Sequence, residues 1–363
     1  MARLGVAQAF VDGVLVAGDV RVTDGVLTEI GLPPARSGTA IAGLVDVHIN
    51  GYAGVDFLSS GADGWRVAAA ALAASGTTSY VASIITSSER DRVSALRAGQ
   101  QVLDEPRGTS ARLLGVHLEG PFLSPDRAGV HPVDHLESPD CSSVDRWLSA
   151  GPLVSMTIAP ELPGAIPLIS DLSSRGILLS LGHSTATADE AHVGFDAGAR
   201  SVTHIFNAMS GPRSRDAGLA GVSLVRKDVT VMMICDGVHL SDDVARLVLS
   251  SCGGRVVFVS DSVAGAGREP GRFNLGKTIV DVLDGRATRE DGTLAGGATT
   301  LAESLKHATR LGTTLENAIA AVTERPAKLV GRADVGVLRL GHACDIVTLD
   351  DDFNVRDVHL FGH

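Results

Sequence analysis

Two histidines and a glutamate each close a short apolar run. Glu119 follows the run 113–118, His183 follows 177–182, and His204 follows 201–203. One carboxylate and two imidazoles make the donor set of a catalytic zinc site, with a position left for water. Asp261 closes a fourth run, 255–260, and His48 a fifth, 44–47. A carboxylate facing metal-activated water is placed to take its proton and later return it to a leaving amine. Alternatives for Asp261 are a place with His48 in a second metal site, or a cap for the loop behind it. A lone polar residue at a strand end is ordinarily a cap. Three ligand-capable residues and an acid at one rim need another explanation.

Other groups are placed less tellingly. His131 lies in the long segment 120–140 behind Glu119, where an imidazole could polarise a carbonyl. Asn207-Ala208 follow His204, and Arg215 and His239 lie after the sixth and seventh runs. Loops in that part of a barrel often hold phosphate, and the planar fork of arginine suits it, although an isolated Arg215 is ordinarily a solvated surface residue. His117 shares a strand face with Glu119 and reads as a core or supporting residue.

Such side chains need a scaffold that presents them together. Strands are expected near 44–49, 78–85, 112–118, 153–159, 177–182, 201–205, 229–235 and 255–260. Helical patterns separate them at 64–75, 88–103, 142–150, 164–175, 188–197 and 242–250, and return at 300–311 and 315–323. Alternation of this kind means a parallel sheet. Eight strands close a barrel, and chemistry sits at its C-terminal mouth. The glycine-rich stretch 262–299 reads as a long loop at that mouth, with a hairpin-like piece at 278–283.

Residues 1–43 alternate apolar and polar around Asp12-Gly13 and Asp24-Gly25, a hairpin signal. The tail alternates again over 336–349 and 355–360. The expected architecture is α/β, a (β/α)8 TIM-like barrel over 44–333. A small β-sandwich domain is expected from both termini, 1–43 with 334–363.

Bulk composition narrows the class. Of 363 residues, 44% are hydrophobic and 20% charged, as in a folded enzyme. A net charge of -11 provides no basic stripe for nucleic acid. No apolar stretch is long enough to span a bilayer, and no secretory signal is seen at the N-terminus. Cys141, Cys235, Cys252 and Cys344 are scattered, as free thiols in a reducing cytoplasm would be.

Several segments together resemble a known family. Ala42-Gly43-Leu44-Val45-Asp46-Val47-His48-Ile49-Asn50-Gly51, His117-Leu118-Glu119-Gly120-Pro121-Phe122, Leu181-Gly182-His183-Ser184, Thr203-His204-Ile205-Phe206-Asn207-Ala208-Met209 and Ser260-Asp261 are similar to motifs of the N-acetylglucosamine-6-phosphate deacetylases of the amidohydrolase superfamily. Gly218-Leu219-Ala220-Gly221, Asp236-Gly237-Val238-His239 and Asp291-Gly292-Thr293-Leu294-Ala295-Gly296 fit as well. The resemblance implies hydrolysis of N-acetylglucosamine 6-phosphate to glucosamine 6-phosphate and acetate, in amino-sugar catabolism and cell-wall sugar recycling. It implies Glu119, His183 and His204 as ligands of a divalent ion, most simply zinc. Asp261 is then the acid/base and His131 the contact to the acetyl carbonyl. Asn207, Ala208, Arg215 and His239 become phosphate and sugar contacts, with Leu294, Ala295 and Gly296 against the sugar. A homodimer is implied in which Arg215 and His239 serve the partner's site. Two departures stand out. His48-x-Asn50 replaces the H-x-H of many metal-dependent barrel hydrolases and leaves the number of ions open. The lead-in to Arg215, Ser210-Gly211-Pro212-Arg213, has its own sequence.

Competing readings are weighed by single features. A cyclic-amide hydrolase of the dihydroorotase or hydantoinase type needs a lysine on strand four, and the first lysine in the chain is Lys227. A deaminase or aminoacylase on the same barrel is compatible with fold alone. A non-catalytic sugar-phosphate sensor would be expected to have lost a ligand or the acid, and all are present.

Overall fold

The structure is a computed structural model and describes residues 2–361. Eight parallel strands stand in sequential order: Leu44–Ile49, Thr77–Ile85, Arg112–Glu119, Leu153–Ile158, Leu178–Leu181, Ser201–Val202, Thr230–Met233 and Val256–Phe258. A helix follows each of them, from Gly61–Ala74 after the first to Leu301–Arg310 after the last. This is the expected (β/α)8 barrel. Helix starts are written locally. Thr187 with Glu190 and Thr300 with Glu303 form capping boxes, and the Asp140 carboxylate accepts from the Ser142 and Ser143 N–H groups.

The last and first strands meet through individual bonds. Asp261 N–H donates to the His48 carbonyl at 2.9 Å, and the Asn50 and Gly51 N–H groups donate to the Ser262 carbonyl at 2.8 and 2.9 Å. Asp46 is buried at this seam and accepts from the N–H groups of His48 and Ser260. Burial lifts its carboxyl pKa to about 6.

The barrel interior has two characters. Val45, Val47, Val81, Leu114, Met232, Ile234, Val257 and Val259 form an apolar cluster with Ala327 and Val335. Strands three to six instead carry a buried polar chain. His117 bonds Ser155 and Thr157 at 2.8 and 2.9 Å, Thr157 bonds Thr203 at 2.8 Å, and Thr203 donates to Ser180 at 2.6 Å. Every link has a partner, as low-dielectric burial demands. His117 therefore supports the strand end that carries Glu119.

Strands five, six and eight stop earlier than expected, for one reason. His183, His204 and Asp261 have φ of 48°, 25° and 47°, and left-handed backbone cannot continue a strand. The stretch 262–299 is also corrected. It contains a four-stranded antiparallel sheet, Gly271–Leu275, Thr278–Leu283, Arg286–Thr288 and Leu294–Gly297. Its core is Leu275, Val280, Val282, Ala287 and Ala295, packed with Ile85 and Val263. Two helices lie where none is expected, Gly218–Val225 and Glu324–Leu329. The first is buried along nearly its whole length, so it lacks an amphipathic stripe.

Besides a short pair, Gly51–Tyr52 with Val55–Asp56, two sheets remain, and the C-terminal strands join the N-terminal ones in the larger of them. One has five strands in the order Val355–His359, Ile346–Leu349, Thr39–Ala42, Gln8–Val11, Val14–Ala17. The other has Ala2–Arg3, Asp19–Thr23 and Val26–Leu32. They share a core that includes Val6, Val20, Leu27, Ala40, Leu338 and Ile346.

Candidate active site

The three strand-end ligand candidates converge. His183 Nε2, His204 Nε2 and Glu119 Oε1 lie 2.9 to 3.1 Å from one another, and all three residues are buried. The His183 ring shows which nitrogen is free. Its Nδ1–H donates to the Arg127 carbonyl at 2.9 Å, so Nε2 presents a lone pair. Two imidazole nitrogens and a carboxylate oxygen this close hold together when a cation lies among them. Zinc–nitrogen bonds of about 2.0–2.1 Å in a tetrahedron imply ligand separations of about 3.3 Å, so the donor set fits a divalent ion.

His48 and Asp261 stand beside this triad. His48 Nε2 is 3.5 Å from Glu119 Oε2 and 3.3 Å from Asp261 Oδ1. Burial opposes charge on His48, but Glu119 and then Asp261 override it and raise its pKa to about 10. Burial likewise works against the Glu119 carboxylate, yet His48, His131 and His183 outweigh it and hold it well below the usual range. This spot draws positive charge. Asn50, which stands where a second histidine is common, donates from Nδ2 to Asp261 Oδ1 at 2.7 Å.

His131 reaches the same centre from its loop, with Nε2 3.4 Å from Glu119 Oε2. The Thr86 N–H donates to His131 Nδ1 at 3.2 Å. A backbone N–H only donates, so Nδ1 accepts and the ring proton is on Nε2. Burial and then neighbouring His183 lower the ring's pKa. His131 is thus a neutral donor aimed at the site, suited to a developing oxyanion.

These groups open into a cavity of about 390 Å³, within the range of small-molecule sites. Asn207, Ala208, His239, Leu294, Ala295 and Gly296 line it together with Glu119, His131, His183, His204 and Asp261. His239 is held by Asp236, whose carboxylate lies 2.8 Å from its Nδ1. Burial opposes charging of this ring, and the Asp236 carboxylate more than offsets it, so its pKa rises. The His239 ring stays within its own barrel. The side chain is 4% exposed and lines the cavity, because the Asp236 contact turns it inward. Asn207 donates its amide hydrogens to the carbonyls of His204 and Ile205, so the side chain shapes the turn. Arg215 is exposed and does not line this cavity.

The inserted sheet forms one wall by a close backbone approach. Gly297 N–H donates to the Asp261 carbonyl at 2.7 Å, and Val263 N–H donates to the Gly297 carbonyl at 3.0 Å. A Cβ on Gly297 would lie 2.2 Å from the Ser260 carbonyl oxygen, so only glycine fits there.

Several lining residues are not apparent from sequence: Ile85, Asp126, Arg127, Gly129, Val130 and Leu275. Thr86, which sets the His131 tautomer, belongs with them. They lie in loops or at element ends, where no periodicity marks them. Asn50 was visible only as a departure from a motif.

Comparison with known proteins gives a consistent picture. The family model of the amidohydrolase family matches residues 39–362. The N-acetylglucosamine-6-phosphate deacetylase of Rattus norvegicus is 34% identical over 338 residues, 88% of this chain and 81% of that protein. The N-acetylgalactosamine-6-phosphate deacetylase of Escherichia coli O157:H7 is 29% identical over 352 residues, 94% and 93% of the two chains. The structure of an aspartate-to-alanine mutant of N-acetyl-D-glucosamine-6-phosphate deacetylase from Mycobacterium smegmatis, in complex with N-acetyl-D-glucosamine-6-phosphate, superposes with a TM-score of 0.92 at 30% identity, covering 99% of this chain and 98% of that one.

Proposed function

We propose, for a chain that belongs to the amidohydrolase family and within it to the N-acetylglucosamine-6-phosphate deacetylases, the hydrolysis of N-acetylglucosamine 6-phosphate to glucosamine 6-phosphate and acetate. The observation that carries the reading is the convergence of Glu119, His183 and His204 beside Asp261, at the floor of a cavity walled by 207–208 and 294–296.

Glu119, His183 and His204 would hold the divalent ion, and zinc suits one carboxylate and two imidazoles. When bound, such an ion polarises a carbonyl and acidifies water. The chain's own residues do the rest. Asp261, with Oδ1 held by Asn50, takes the proton of the attacking water. His131 donates from Nε2 to the acetyl oxygen as charge develops there. Asp261 then returns the proton to the departing amine. His48 and Asp261 offer a second metal position with Glu119. The wall at Ala208, His239 held by Asp236 and residues 294–296 orient sugar and phosphate. Binding energy from the remote phosphate then helps fix the amide.

In the same reading the protein works as a homodimer, with Arg215 reaching the partner's cavity. Residues 1–43 and 334–363 form the small β domain and 44–333 the barrel; Met1, Gly362 and His363 lie outside the described residues. Val335 still packs in the barrel and Leu338 in the small domain, which supports a boundary near there. Among the described residues no helix is long and apolar enough to cross a membrane, and four free cysteines fit the cytoplasm. The test is acetate release from N-acetylglucosamine 6-phosphate by purified protein of measured metal content. The galactosamine epimer belongs beside it, given the Escherichia coli relative. No acetate from either sugar, at full metal content, would overturn the assignment.

A further inference from the structure

One arginine lines the cavity of its own barrel, and it is Arg127. Its backbone is anchored to the metal-site turn by three bonds. Ser124 N–H donates to the His183 carbonyl at 2.9 Å, Arg127 N–H donates to the Ser124 carbonyl at 2.9 Å, and the Arg127 carbonyl accepts from His183 Nδ1 at 2.9 Å. The side chain leaves this fixed base with its Nε buried and without a hydrogen-bond partner. Two residues on, Gly129 faces the wall that includes Ala208, with an added Cβ 4.0 Å from the Ala208 Cβ.

Charge makes this placement consequential. Glu119, Asp126 and Asp261 also line the cavity, in a chain of net charge -11. A phosphate dianion entering meets these carboxylates. Arg127 is the only lysine or arginine among the described residues that line the cavity, and Arg215 is exposed outside it. A guanidinium offers its donors in a planar fork, so less freedom is lost per hydrogen bond formed to a phosphate.

We infer that Arg127 is a phosphate-recognising residue acting within its own subunit, so that each barrel carries a cation for the 6-phosphate whether or not a partner's Arg215 arrives. This inference rests on the deacetylase reading for its substrate. Its test separates the two.

Arg127→Met keeps the side-chain stem and removes the fork; Arg127→Lys keeps the charge. Calorimetric titration with glucosamine 6-phosphate, glucosamine and inorganic phosphate is run beside acetate release and metal analysis. Losing a charge-assisted hydrogen bond should weaken glucosamine 6-phosphate binding about tenfold to a hundredfold in Arg127→Met, with a partial return in Arg127→Lys. KM should rise by a similar factor, with a much smaller change in kcat. Metal content should match the unmodified protein, because His183 bonds a backbone carbonyl that any residue supplies. Unchanged glucosamine 6-phosphate binding in Arg127→Met would overturn the inference. So would metal loss in both variants, which would assign the residue to holding His183. Absence of acetate release by the unmodified protein would count against the deacetylase reading alone, since phosphate binding is read independently.

Discussion

Replacing Asp261 by asparagine tests the proposed chemistry most directly. Position 261 has φ of 47°, and asparagine is among the few residues that visit left-handed backbone readily, so the turn should survive. The amide oxygen of the new side chain can keep the place of Oδ1 and go on accepting from Asn50 Nδ2, a contact of 2.7 Å in the unmodified protein. The amide NH₂ would then replace Oδ2, and it donates where a base must accept. General acid/base catalysis contributes about 10²–10⁴-fold, or about 2.7–5.5 kcal/mol of barrier. One carboxylate would serve both proton transfers here, so the expected loss in kcat is near the upper end. Alanine is a poorer probe, because it strands the Asn50 donor in a buried site. The assay is acetate release under saturating substrate, with metal content and thermal unfolding measured on the same sample. Turnover within tenfold of the unmodified protein at full metal content would refute the acid/base role. Loss of metal in step with loss of turnover would make Asp261 a ligand instead.

Further predictions are simpler. His183→Asn should lose the ion and nearly all activity, whereas His48→Ala should be milder; full metal in the first would reject the ligand set, and equal loss in the second would mean that two ions matter. Arg215→Ala should weaken phosphorylated substrate about tenfold to a hundredfold, and a mixed dimer of Arg215→Ala with Asp261→Asn chains should regain one good site. Mixed-dimer activity no better than the mean of its parents would refute action across the interface. Gly297→Ala places a Cβ 2.2 Å from the Ser260 oxygen and should cost about 1–3 kcal/mol of stability; an unchanged melting temperature would show that the wall shifts freely.

The barrel was legible because its strands are short, apolar and evenly interrupted, and the helices between them carry their own stop signals. The ligand candidates were legible because a residue that ends a barrel strand, as Glu119 does, or follows one closely, as His183 and His204 do, has to lie at the mouth. The inserted sheet was not legible. Its strands are three to six residues long and glycine punctuates them, so composition favoured loop over strand. The helix Gly218–Val225 was hidden for the opposite reason, since burial on nearly all sides erases the 3.6-residue stripe. Arg127 and Thr86 act through where a loop happens to run, a long-range property that local spacing does not encode. The orientation of His239 depends on a contact with Asp236, which is visible in the sequence only as two residues three apart.

The three left-handed turns explain why substrate walls and metal ligands are built as one object. Non-glycine residues held at positive φ cost of order 1–3 kcal/mol each and persist only where the surroundings over-determine them. At each turn the strained residue's carbonyl is bonded by a neighbouring segment. Ser124 N–H holds His183, Asn207 holds His204 through its backbone N–H and its side chain, and Gly297 N–H holds Asp261. Those holding residues lie in, or directly beside, the segments that line the cavity, 126–131, 207–208 and 293–296. A shift in any wall must therefore move the residue that it clamps. Substitutions in these segments that displace the backbone should change metal affinity as well, whereas a side-chain change such as Arg127→Met, which leaves the clamping carbonyl in place, should not; the effects on recognition and metal are expected to be non-additive wherever wall and ligand share a hydrogen bond.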